Sequence, residues 1–149
     1  MSEHRATIEW SRGGRDFVYE TYSRQHVWRF EGGIRVPGNA APANIPKTMP
    51  PAPGVDPEQA FVASLSSCHM LWFLHLACQR KLVVERYVDE ASGVLDKNWM
   101  SQVTLRPEVT FSGKAPTEEE HRALHHKAHE KCYIANSVKT EVLVEPRIG

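Results

Sequence analysis

Polar and apolar residues alternate over positions 5–10, RATIEW, and this period-two pattern predicts a β-strand. Gly13-Gly14 marks a turn. Asp16 to Tyr22, with Phe17, Tyr19 and Thr21 on one face, predicts a second strand, and His26 to Phe30 a third. Gly32-Gly33 then signals a hairpin back into Ile34-Arg35-Val36. Residues 1–36 therefore read as a β-meander. Residues 37–55 hold six of the ten prolines, which predicts an extended surface arm or lid instead of regular structure.

The pattern changes at Asp56-Pro57-Glu58-Gln59. A carboxylate suits the N-cap, proline suits the first helical position, and Gln59 can return to the cap as in a capping box. The helix so opened runs to about Arg80. It is apolar nearly all round, which predicts burial on most sides. A helix of more than 20 residues spans about 30 Å, the width of a small domain. A 149-residue chain has limited sheet with which to cover it, so a second copy of the chain is the expected cover.

Val83 to Leu95 alternates and predicts a strand, Lys97-Asn98 a turn, and Met100 to Phe111 another strand. Pro107 there suggests a bulge or an edge. Thr117-Glu118-Glu119-Glu120 is a second capping-box signature, opening a polar helix to about Lys131. Cys132 to Val138 reads as a short helix or turn, and Glu141 to Glu145 as a closing strand. The order is α+β with antiparallel sheet in one domain, residues 1–149.

Composition narrows the function classes. Lys+Arg and Asp+Glu number 18 each, so net charge is zero, which argues against a dedicated binder of nucleic acid or anionic membranes. No unbroken apolar run reaches the ~18 residues of a membrane span. The start, MSEHRATIEW, has no apolar signal core, and a cytoplasmic location is the expectation. Three cysteines, Cys68, Cys78 and Cys132, form neither a disulfide scaffold nor a C-x-x-C motif. Any redox pair must be brought together by the fold.

Cys68 stands in the middle of the apolar helix. Burial alone would raise its pKa and make it inert. It lies about three turns past Asp56, too far for the helix dipole to act on it. A reactive Cys68 therefore needs a cation from elsewhere, and arginine suits the role because it stays protonated in an apolar pocket. A buried arginine needs a partner, for which Glu58 is a candidate. Ten residues separate Glu58 from Cys68, about 15 Å along a straight helix. Either the helix bends, or Glu58 serves a site on a partner subunit. Taken alone, an isolated buried cysteine is usually a small hydrophobe, and Glu58 a first-turn carboxylate that favours the helix dipole.

The stretch DPEQAFVASLSSCHM resembles the signature of the OsmC/Ohr family, the osmotically inducible and organic hydroperoxide resistance proteins. Lys131-Cys132-Tyr133-Ile134-Ala135-Asn136 resembles that family's second cysteine motif, with Tyr133 where the motif has proline. The resemblance implies antiparallel sheets wrapped around a long buried central helix in an intertwined homodimer. It also implies a thiol peroxidase of oxidative stress defence that reduces organic hydroperoxides without metal or bound cofactor. Cys68 matches the peroxidatic cysteine, Cys132 the resolving cysteine, and Glu58 the carboxylate that holds the family's arginine. An external dithiol, possibly on a lipoylated protein, would reduce the disulfide. Arg15, in Gly13-Gly14-Arg15-Asp16, is similar to a stretch of the hydroperoxide-resistance branch. Arg24 could also reach inward, and Arg29 and Arg35 remain open.

Other readings stay beside this one. The same pocket could act on a different electrophile, or hold a thiol pair that binds or senses without turnover. His121, His125 and His129 recur at helical spacing and could bind a metal, although a solvated helix face is the simpler reading. His69 adjoins Cys68 but points about 100° away, as a hydrogen-bonded core histidine would. Trp72, Phe73, Leu71 and Met70 read as core or dimer interface, and Cys78 as a bystander.

Overall fold

A computed structural model describes residues 1–149. The chain forms two compact units, Met1–Ala60 and Phe61–Gly149, and helix α1 (Pro57–Gln79) runs from the first into the second.

The first unit is built on an antiparallel sheet of β1 (Thr7–Glu9), β2 (His26–Arg29) and β3 (Arg35–Gly38), with β2 central. Thr7 lies opposite Arg29 and Trp28 opposite Val36. Gly32 and Gly33 turn the β2–β3 hairpin at φ of +78° and +79°, where a side chain would be strained. The strand expected over Asp16–Tyr22 does not form. Its backbone turns back on itself, with the amides of Thr21 and Tyr22 both bonding the Val18 carbonyl. Phe17 and Tyr22 instead cluster with Trp10, at ring distances of 5.8 and 6.5 Å. The alternation was produced by an aromatic cluster and not by a ladder.

The proline-rich segment is a closed loop rather than an extended arm. Its ends meet, because Val55 N–H donates to the Pro37 carbonyl and Asn39 N–H to the Val55 carbonyl. Asn39 is buried, and its side-chain amide spans the loop to Ala52 O at 3.1 Å. At the foot of the loop Asp56 Oδ1 accepts the Gln59 N–H at 2.8 Å, and Gln59 Oε1 accepts the Asp56 N–H at 3.1 Å. Both halves of the anticipated capping box are therefore made. Asp56→Ala should cost about 1 kcal/mol of stability, read as a lower urea midpoint with unchanged slope.

In the second unit the two long runs are each cut in two. They give β4 (Val83–Asp89), β5 (Ser92–Asp96), β6 (Trp99–Leu105) and β7 (Pro107–Ser112). Antiparallel β4–β7 is one sheet, and β5–β6 continues into another. The break falls at Asp89 and Arg106. Asp89 Oδ1 takes the Arg106 N–H at 2.6 Å, removing it from the ladder, and Pro107 has no N–H to give. Pro107 thus starts a strand, while the register shifts lie elsewhere, at Val84/Arg86 and Val94/Leu95. The closing strand β8 (Glu141–Val144) pairs with β6 in parallel, so the sheets are mixed and not purely antiparallel.

Helix α2 (Glu118–Lys131) has its capping box at Thr117 and Glu120, and a 3-10 turn, Ala135–Ser137, follows it. Two cores hold this unit. Phe73 and Ala77 of α1 pack against Leu124 and Ala128 of α2 over Val109 and Phe111. Leu65 of α1 packs with Val103 and Leu105 of β6, and with Ile134 and Ala135. By length and composition α1 would pass for a membrane span. Its stripe Leu65, His69, Phe73 and Ala77 is instead buried against protein. The remaining faces of α1 are less covered than its apolar sequence anticipates, and Leu71 is 60% exposed.

Candidate active site

Cys68 and Cys132 are brought together by their neighbours. Leu65 and Trp72 lie on the same face of α1 as Cys68, three residues before it and four after it. Ile134 and Ala135 pack against the core cluster that Leu65 forms with Val103 and Leu105. Trp72 receives the Tyr133 ring edge-on at 5.5 Å and the Lys131 ammonium at 5.3 Å from its centroid. The residues on both sides of Cys132 thus grip α1 on both sides of Cys68. Tyr133, standing where the resemblance puts a proline, supplies one of these contacts.

The two thiols differ. Cys68 is half-buried and Cys132 is 1% exposed. Burial pushes the Cys132 thiol up to about 11, and hydrogen bonding to Cys68 adds to the rise. The Ala135 N–H, 3.4 Å from Cys132 Sγ, and the Ile134 N–H pull the other way without prevailing. Cys132 therefore keeps its proton at neutral pH and offers it toward Cys68. Two residues earlier on α1, Ser66 Oγ donates to Asp89 Oδ2 at 2.5 Å, which fixes this turn of the helix to the end of β4. Cys78 is exposed and stands apart, at the far end of the helix.

The first unit contains a separate cluster. Arg24 and Glu58 line one cavity of about 510 Å³, walled by Ile8, Trp10, Phe17 and Tyr22. The Arg24 guanidinium lies 3.6 Å from the Tyr22 ring centroid and 5.0 Å from that of Tyr19. Its Nη1 donates to the carbonyls of Tyr22 and Tyr19 at 2.7 and 2.9 Å. These ring faces and carbonyls hold the cation in a half-buried position. Glu58 Oε2 is buried with no hydrogen-bond partner. Arg15 is exposed and only borders a smaller cavity of about 90 Å³ beside Arg24. Arg29 pairs with Glu9 across the sheet at 3.0 Å, and Arg35 is exposed. Arg24 thus shares a cavity with Glu58.

The histidines depart from expectation. The α2 histidines do not form a solvated face: His121 and His125 are buried, at 6% and 2% exposure. His69 Nε2 and His125 Nδ1 are 3.0 Å apart. No three or more His, Cys, Asp or Glu side chains converge to hold a metal ion. The sequence marked His69 as a core histidine but gave no sign of its partner, since the pair joins two helices.

Comparison with known proteins fits this geometry. Residues 50–147 match the family model described as OsmC-like protein. The sequence has no match among curated proteins. An OsmC-like protein of unknown function from Vibrio cholerae is 46% identical, with a TM-score of 0.93 over 99% of this chain and 100% of that one. A Legionella pneumophila protein described as organic hydroperoxide resistance protein OsmC is 18% identical (TM-score 0.69, 99% and 98% covered). The organic hydroperoxide resistance protein OhrB of Bacillus subtilis is also 18% identical (TM-score 0.65, 98% of each). At that identity the last two show a shared fold. With the family model matched over both cysteines and Glu58, and the OsmC/Ohr fold shared along its length, this chain belongs to the OsmC-like protein family.

Proposed function

We propose that the chain is a thiol peroxidase for organic hydroperoxides. The observation that carries this reading is the packing of residues 131–135 beside the Cys68 turn of α1, which supports a Cys68–Cys132 pair. In this scheme the Cys68 thiolate attacks the outer oxygen of the hydroperoxide. The O–O bond breaks, the alcohol leaves with a proton, and Cys68 becomes a sulfenic acid. Cys132 condenses with it, forming the disulfide and releasing water. An external dithiol, such as a lipoyl group, restores both thiols.

The resemblance calls for an arginine held by Glu58 to serve the attacking sulfur, and the cavity that Arg24 shares with Glu58 supports Arg24 in that role. Their shared apolar cavity supports an alkyl or aryl hydroperoxide over hydrogen peroxide, because its walls reward burying the organic part. The uncovered apolar faces of α1 support a second copy of the chain as their cover, so the working unit is a homodimer.

The test is mass mapping after one equivalent of cumene hydroperoxide. A Cys68–Cys132 crosslink within one chain supports the reading, and a Cys68 left as thiol overturns it. Arg24→Met should slow the peroxide step by about 10²- to 10³-fold, the usual loss when one preorganised charge is removed. Arg15→Met should leave the rate within about twofold, as for an exposed surface charge. Stopped-flow peroxide kinetics of the two variants decides between these arginines.

A further inference from the structure

Four histidines meet where α1 and α2 pack, and the thiol chemistry uses none of them. His69 and His125 share a hydrogen bond of 3.0 Å with nearly coplanar rings. His125 stacks on Phe73 at 4.2 Å and lies 5.1 Å from His121. His69 Nδ1, His121 Nε2, His125 Nε2 and His129 Nδ1 are all buried without a hydrogen-bond partner. The His69–His125 bond needs a lone pair on one side and so is lost when both rings are protonated, and burial of the remaining ring nitrogens without partners disfavours even one charged ring.

The surroundings offer little to compensate a charge. From α1 come His69 and Phe73, and from α2 the three histidines and the Arg122 cation. From β4 comes the Tyr87 phenol, itself buried and unpartnered, and from β7 Phe111. The side toward β8 is apolar, Val142 to Val144. Carboxylates on these elements are engaged or exposed. Glu118 holds Arg122, Glu130 holds His126 and Lys127, and Asp89 holds Ser66 and the Arg106 amide. A cleft of about 250 Å³ beside His125 and His129 gives protons an approach.

We infer that this histidine cluster is an acid-sensitive positioning device for Cys132. With its rings neutral it clamps α2 onto α1, and on protonation it lets α2 go, together with the thiol that caps its C-terminal end. Burial agrees with the direction. It lowers His69 to about 4 and His125 to about 3 from the ordinary 6.5, and His121 in the same sense. The opened state therefore binds more protons than the closed one. The clamp is at full strength above pH 6.5 and weakens as pH falls toward 4.

Native-state hydrogen exchange from pH 7 to pH 5, corrected for intrinsic rates, tests this in the unmodified protein. Opening of the α2 amides should rise about tenfold per pH unit for each proton taken up, while β6 amides stay protected. His125→Met, which fills the site without titrating, should flatten that slope. Equal loss in α2 and β6, or no pH dependence in α2, overturns the proposal whether or not the variant folds. So does an unchanged slope in folded His125→Met.

The consequence for disulfide formation rests on the peroxidase reading. From pH 7 to pH 5 the capture of the Cys68 sulfenic acid by Cys132 should slow at least tenfold more than in folded His125→Met, which keeps the thiols' own pH dependence. If α2 opens as described but peroxide never touches Cys68, the clamp stands and the peroxidase reading falls.

Discussion

Cys68→Ser should abolish hydroperoxide consumption, while Cys132→Ser should consume one equivalent and then stall. A serine hydroxyl is not ionised at neutral pH and cannot replace the thiolate that attacks the O–O bond. The expected fall for Cys68→Ser is on the order of 10⁴-fold or more, the scale seen when other enzymes lose a covalent nucleophile. In Cys132→Ser the first step survives, and the sulfenic acid at Cys68 accumulates and can be trapped with a dimedone probe. For Cys68→Ser the measurement is peroxide consumption with a dithiol reductant present; for Cys132→Ser it is consumption without added thiol, which would itself reduce a sulfenic acid, paired with mass analysis of the trapped protein. Full turnover in Cys68→Ser would assign the chemistry to another group and end the proposed mechanism. A native chain that, without added thiol, also keeps its Cys68 as a trappable sulfenic acid would remove Cys132 from it and leave a one-cysteine peroxidase. Neither outcome depends on which arginine serves the site.

Phe73→Ala should be the most damaging single change to stability. Phe73 is fully buried, and it touches both Leu124 and Ala128 of α2 and the stack of His125. Removing its ring leaves a cavity that two helices and a sheet would have to collapse to fill. The expected loss is about 3–5 kcal/mol against a total of about 5–15 kcal/mol. Urea denaturation followed by far-UV circular dichroism reads it directly. A loss under about 1 kcal/mol would mean that α1 and α2 repack freely, and that Phe73 is not the keystone of their contact.

Much of this architecture was legible because local chemistry enforces it. Both helices start where a capping box stands, Asp56/Gln59 and Thr117/Glu120, because those side chains satisfy amides that no other arrangement would serve. The Gly32-Gly33 hairpin was readable for the same kind of reason, since both residues need positive φ. Expectations failed where a distant group intervened. Asp16–Tyr22 alternates like a strand, but Trp10 offers its aromatics a better partner than a ladder. The runs 83–95 and 100–111 break because Asp89 captures one amide and Pro107 lacks another. The parallel pairing of β8 follows from the course of α2 and its turn, which no local pattern records. The histidines of α2 looked solvated because only Leu124 and Ala128 mark its inner face among Glu, Lys, Arg and His. His69 lends His125 a hydrogen-bonding partner and so makes burial of the face possible.

From the sequence alone came the α+β class, the two helix starts and the placing of Cys68 within an apolar helix. Those follow from interactions within a few residues, which any chain segment carries with it. The tertiary structure put Arg24 and Glu58 around one cavity, and set Lys131 and Tyr133 on Trp72, one turn from Cys68. It also turned four histidines inward. Each of these joins residues far apart in the chain, and which distant side chains meet is settled by packing the whole core at once.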